Sequence, residues 1–148
     1  MRILKKGILF LCTGNSCRSQ MAEGFARDML LEDVKIFSAG IDPKGIHPKA
    51  IKVMQEVGID ISGQKSKNLW ELPVDKIGLV ITLCGDAAER CPVFPGRAKR
   101  VHWILEDPAK VKGTEEEIMN KFREVRDKVK TYLDKEKWFS NLKRWRNS

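Results

Sequence analysis

Histidine is scarce in this chain: only His47 and His102 occur among 148 residues. A zinc site built on imidazole therefore has little to draw on. The cysteines do not fill that gap, because Cys84 and Cys91 enclose six residues, more than a zinc knuckle spans. Long apolar runs are missing as well. Arg2, Lys5 and Lys6 precede only a handful of apolar residues, too few for a secretory or membrane segment, so we expect a cytoplasmic protein. In that compartment four cysteines point to catalysis or metal binding rather than to structural cross-links. What the chain has in excess is positive charge, a formal +8.

The length fits one domain with a real core. Its first informative stretch is GILFLCTGNSCRS, residues 7 to 19. Ile8 to Leu11 form a short apolar run that stops at Gly and Asn, the pattern of a buried strand ending in a tight turn. Ala22, Phe25, Ala26, Met29 and Leu30 then recur at the spacing of one helix face. Cys12 is thereby placed at a strand-to-helix turn.

Unpaired amides at a helix start carry the positive end of the macrodipole and suit an oxyanion. Gly14 lets the chain bend so that successive amides converge, and Arg18 offers a planar fork matched to a tetrahedral anion. Thr13, Gly14, Asn15, Ser16, Cys17, Arg18 and Ser19 together make the candidate oxyanion loop. The same positive field favours the thiolate of a cysteine placed there, and the thiolate is the nucleophile. Ser19 can donate a hydrogen bond to that sulfur. Cys17 is expected to fill space, without a redox role.

Taken in order, the chain reads as alternating elements. A helix is expected from about Gln20 to Leu31, then a strand from Val34 to Phe37 closed by Ser38, Ala39 and Gly40. Ile41 to Ile46 reads as loop. Pro48 suits a helix start, with Ile51, Met54 and Val57 as its buried face and Gly58 as its stop. Residues 59 to 70 look irregular, with a helical turn near Asn68 to Leu72. Gly78 to Leu83 and Arg100 to Trp103 are the remaining strands. Thr114 and Glu117 form a capping box opening a helix whose apolar face is Ile118, Phe122, Val125, Val129 and Leu133.

This alternation predicts an α/β fold, a single three-layer domain with a four-stranded parallel sheet flanked by helices. Ligands of such sheets bind beyond the carboxyl ends of the strands, an edge that receives Cys12, Cys84 and Asp107. Asp107 is a candidate general acid; an Asp-Pro pair is equally a turn cap.

From Ile8 to Tyr132 the chain resembles the thioredoxin-coupled arsenate reductases built on the low-molecular-weight protein tyrosine phosphatase fold. The motifs are CTGNSCRSQMAEG, SAGI, HPKAI, GIDIS, VITLCGDA followed by CP, HW and EDP. The first is shared with the phosphatases. Cys84 and Cys91 separate the two activities, as do Ala109 and Lys110 where phosphatases of this fold carry tyrosines.

The resemblance implies arsenate as substrate, arsenite as product and a relay: Cys12 with Cys84, then Cys84 with Cys91, reopened by a thioredoxin-like reductant. If Asp86 to Arg90 are helical, the last pair lies about 10 Å apart along the axis. A disulfide reaches only about 7 Å between Cα atoms, so the segment must unwind. One branch of the resembled family holds potassium behind the loop with Asn, Glu, Ser and Asp. Asn15, Glu23 and Ser38 match, but the fourth position is Lys67, whose ammonium only donates. No metal and no cofactor are therefore expected. A phosphatase and a non-enzymatic anion or nucleic-acid binding module stand as alternatives.

Residues 1–134 are assigned to this domain. Residues 135–148 form a basic aromatic tail that the resemblance does not cover. Trp138, Leu142 and Trp145 share helical spacing, with Phe139 beside them, and read as a docking helix; a nucleic-acid or membrane contact is the other reading. We expect a monomer without a membrane or nucleic-acid partner.

Overall fold

The computed structural model describes residues 6–30, 33–85 and 91–142. Four parallel strands form one sheet in the order β2-β1-β3-β4. They are β1 (Gly7–Leu11), β2 (Ile36–Ala39), β3 (Ile77–Cys84) and β4 (Lys99–Ile104). The helices are α1 (Arg18–Met29), α2 (Pro48–Gln55), α3 (Glu115–Lys135) and α4 (Lys137–Leu142). The single α/β domain with a four-stranded parallel sheet is as expected.

Every residue of β1 is buried, as a central parallel strand covered on both faces requires. Ile8 and Phe10 meet a core cluster fed by all four α-helices, including Met21, Val53, Phe122 and Phe139. Leu9 and Leu11 face the opposite way, against Leu69, Val80 and Phe94. That third layer is built from short 3-10 turns, Leu69–Glu71 and Val74–Lys76, and the loop around Phe94.

Several boundaries differ from the expectations. Helix α1 begins at Arg18 instead of Gln20, which brings Arg18 and Ser19 into its first turn. Strand β2 lies two residues further on than predicted. Ser38 and Ala39 are poor strand formers, yet pairing with Phe10 and Leu11 holds them in the ladder. The buried residues of α2 are Ala50, Val53 and Met54. Because that helix ends at Gln55, Val57 falls in the turn and is 44% exposed. Gly58 adopts φ +81°, the left-handed conformation that stops a helix cleanly.

The capping box at Thr114 and Glu117 is present in both directions. Trp138, Phe139 and Leu142 of α4 are buried in the main cluster. Sinking Phe139 and Leu142 contributes roughly 1.5–3 kcal/mol each. Trp145 and the segment Asp86 to Arg90 lie outside the described residues. Among the described residues no helix is long and apolar enough to cross a membrane.

Candidate active site

Cys12 directly follows β1, and its sulfur lies 2.8 Å from Ser19 Oγ. The Asn15 side-chain amide donates to the same Ser19 oxygen at 2.8 Å. With that lone pair taken, the Ser19 hydroxyl is free to point its proton at the sulfur, which suits a thiolate. Asn15 is fully buried and adopts φ 44°, a left-handed conformation that asparagine tolerates. Its Oδ1 accepts from the Lys67 amide at 2.7 Å and from Gln20 Nε2 at 3.0 Å. The turn is therefore held by the side chains of Asn15, Ser19 and Gln20 and by the backbone amide of Lys67.

The chain after β2 braces the loop from outside. Asp42, Lys44 and His47 donate backbone hydrogen bonds to the carbonyls of Thr13, Gly14 and Ser16 at 3.0, 3.0 and 3.1 Å. Loop carbonyls engaged in this way suit a nest, in which successive amides are offered to an anion. Gly40 makes this approach possible. A Cβ there would meet Asn15 N at 2.9 Å and Cys12 O at 3.0 Å. From sequence, Gly40 and Gln20 are only element boundaries and Gln64 carries no signal; their part in bracing the loop appears in the tertiary contacts.

Arg18 is 2% exposed. Its Nη1 donates to the Leu105 carbonyl at 3.0 Å, and its Nη2 lies 3.8 Å from Asp107 Oδ2. Asp107 Oδ1 accepts from the Ala109 amide at 3.0 Å and caps the 3-10 turn Pro108–Lys110. The carboxylate that caps this turn is thus also the one that faces Arg18. Cys17 is buried, and desolvation pushes its thiol up to about 12, so it stays protonated and unreactive.

Behind the loop, Glu23 is 3% exposed. It accepts from Ser38 Oγ and, at 2.6 Å, from Arg27 Nε. Lys67 Nζ stands 4.0 Å from Glu23 and also donates to the Lys65 carbonyl. Burial lowers the Lys67 ammonium from the usual lysine range, and the Glu23 carboxylate opposes the shift. This donor set does not fit potassium. The carboxylate is already shared by two cationic side chains, and the Asn15 oxygen is occupied by N–H groups. Arg27 was not foreseen, since its role appears only when β2 lies alongside α1.

Cys84 ends β3 and is joined to Cys91 by a disulfide with Cα atoms 5.7 Å apart. The pair is closed here, so the helical spacing of about 10 Å considered from sequence does not describe this state. Cys12 and Cys17 are free and buried. The Cys84 carbonyl accepts from the Leu105 amide at 3.0 Å, and the Leu105 carbonyl accepts from Arg18. Cys12, Cys84 and Asp107 therefore share the carboxyl edge of the sheet, as sequence order implied.

The family model for low-molecular-weight phosphotyrosine protein phosphatases matches residues 7–148. The chain belongs to this family. Within it, the chain is similar to the arsenate reductase of Oceanobacillus iheyensis, with 54% identity over 125 residues, 84% of this chain and 90% of the relative. The Bacillus subtilis arsenate reductase is 53% identical over 124 residues, 84% of this chain and 89% of the relative. Among solved structures, an arsenate reductase in the oxidised state superposes with a TM-score of 0.72 at 36% identity, covering 93% of this chain and 95% of the other. The thioredoxin-dependent arsenate reductase of Corynebacterium glutamicum gives a TM-score of 0.58 at 26% identity, covering 87% of this chain and 60% of the other.

Proposed function

We propose that this member of the phosphatase family reduces arsenate to arsenite and is regenerated by thioredoxin. The observation that carries the reading is the Cys84–Cys91 disulfide on the sheet edge that also bears the Cys12 loop. Hydrolysis of a phosphocysteine needs no second thiol. Reduction of arsenate through a thiol relay does need one, and the Cys84–Cys91 pair supports that reading.

The steps balance as follows. The Cys12 thiolate attacks arsenic, and the departing oxygen leaves as water with a proton from Asp107. Cys84 attacks the Cys12 sulfur, and the sulfur–arsenic pair stays on arsenic, which leaves as arsenite. Cys91 then attacks Cys84 and frees Cys12. Arg18 and the loop amides hold the oxyanion throughout. Ser19, Asn15, Glu23, Ser38 and Lys67 keep the loop in shape. The enzyme acts as a cytoplasmic monomer, and the shared anion loop gives it weak activity on small phosphoesters.

The test is arsenate-dependent NADPH consumption in the presence of thioredoxin and thioredoxin reductase. Sustained turnover supports the reading. Rapid phosphoester hydrolysis with no arsenate-dependent oxidation would overturn it.

A further inference from the structure

The large apolar side chains exposed among the described residues are Ile41, Val57, Trp70, Val93 and Ile104. Two of them neighbour the disulfide. Ile104, 66% exposed, is the cross-strand partner of Cys84, and Val93, 80% exposed, follows Cys91 by two residues. Ile104 ends β4, the edge strand of the sheet. A groove of about 670 Å³ is lined by Gly85, the residue after Cys84, and by Ile104, Val111, Lys110 and Lys128.

The groove also touches Glu106 and Asp107, but both carboxylates are engaged. Glu106 pairs with Lys121 at 3.1 Å, and Asp107 faces Arg18 while capping its turn. Lys128 lies 3.6 Å from Glu124, with its side chain 55% exposed, and Lys110 is exposed. With both carboxylates paired, the groove presents the apolar side chains of Ile104 and Val111 together with the ammonium groups of Lys110 and Lys128. Such a surface favours an apolar contact ringed by acidic groups.

We infer that this groove is the docking surface for the dithiol protein that reopens the disulfide, with Ile104 as its apolar anchor and Lys110 and Lys128 as its charged rim. The inference rests on the thioredoxin reading above and adds the surface and the chemistry of its partner. Cys84 is 2% exposed and Cys91 partly exposed, so the partner's thiolate reaches Cys91. Its attack forms an intermolecular disulfide and expels the Cys84 thiolate. The partner's second thiol then attacks the mixed disulfide and releases Cys91. Two electrons pass from the partner's dithiol, and two protons finish on Cys84 and Cys91.

The experiment compares thioredoxin with dithiothreitol as reductant of the full chain. Ile104→Glu, Ile104→Ser and the pair Lys110→Glu with Lys128→Glu should each raise the KM for thioredoxin, the charge variants at least tenfold. Turnover driven by dithiothreitol, and arsenite released in a single turnover without reductant, should stay within twofold of the parent protein. An unchanged thioredoxin KM in the charge variant and in Ile104→Ser overturns the docking surface. So does an equal loss with both reductants. Failure of the parent protein to accept electrons from thioredoxin defeats the functional reading itself, a different result from either.

Discussion

Arg18 and Asp107 face each other across the anion loop at 3.8 Å, while the other carboxylate oxygen of Asp107 holds the Ala109 amide. One carboxylate oxygen is thus turned toward Arg18 and the other is engaged by the turn that follows. This division offers a way to separate proton donation from local structure. Asparagine caps a turn nearly as well as aspartate, whereas alanine does not.

Asp107→Asn should therefore keep the fold and lower arsenate turnover by about 10²–10⁴, the usual worth of a positioned general acid. Binding of phosphate as a non-reacting anion should change far less. Asp107→Ala should lose the same activity and about 1 kcal/mol of stability besides. Equal losses of turnover and anion binding in the Asn variant would point to a structural role alone.

The relay separates by cysteine. Cys12→Ser should abolish both arsenate reduction and phosphoester hydrolysis. Cys84→Ser should stop reduction and spare hydrolysis, since only reduction needs the second thiol. Cys91→Ser should release one equivalent of arsenite and stall with Cys12 bonded to Cys84. Peptide mapping after one equivalent of arsenate decides this, and a free Cys12 in that variant rules out the proposed order.

Cys17 gives a prediction about thiol accessibility. With its thiol held near 12, it should resist iodoacetamide from pH 7 to 9 in the native oxidised protein. Labelling should occur at Cys12 alone, and in Cys12→Ser not at all until the chain is unfolded. Mass spectrometry of the labelled peptides reads the outcome, and native labelling of Cys17 contradicts its burial.

Far from the site, Glu56 receives the guanidinium of Arg123 at 2.8 Å and that of Arg126 at 2.8 Å, linking α3 to the end of α2. The Arg123 hydrogen bonds lead in holding its carboxyl down at about 2, with Arg126 adding to them. A depressed carboxylate stabilises the fold above its unfolded value, and that stability is lost as pH falls toward the folded value. The carboxylate is largely open to water, so Glu56→Gln should cost at most about 1 kcal/mol at pH 7. Thermal melts should show the difference shrinking as pH drops from about 4.5 toward 2. A difference that persists at the acid end would assign the effect to packing.

Much of this organisation was legible in sequence because it is local. The apolar runs gave the strands, Thr114 with Glu117 gave the start of α3, and Cys12 to Ser19 announced an anion loop before any geometry was known. What escaped depends on contacts between distant segments. Ser38 is held in β2 by pairing with Phe10, not by its own propensity. The partnership of Gln20 with Lys65, of Arg27 with the Ile36 carbonyl, and of Arg18 with Leu105 are all tertiary hydrogen bonds that no spacing encodes. Asp107 was read as either a cap or an acid, since nothing in an Asp-Pro pair shows that its two oxygens diverge.

Lys67 yields the last prediction. Its amide holds Asn15, and its ammonium lies beside the Glu23 carboxylate that Arg27 and Ser38 also contact. We propose that the Lys67 ammonium takes the place of a cation behind the loop. Potassium chloride and sodium chloride at equal ionic strength should therefore support the same turnover. Lys67→Asp removes the internal charge and places a second carboxylate near Glu23, and potassium can bridge the two. That variant should lose activity in sodium and regain part of it in potassium, whereas Lys67→Met should lose activity in both. The hydrogen bond from the residue 67 amide to Asn15 Oδ1 is a backbone contact that neither substitution removes, so the comparison reports on charge. Marked potassium activation of the unmodified protein would show that Lys67 does not fill the cation's place.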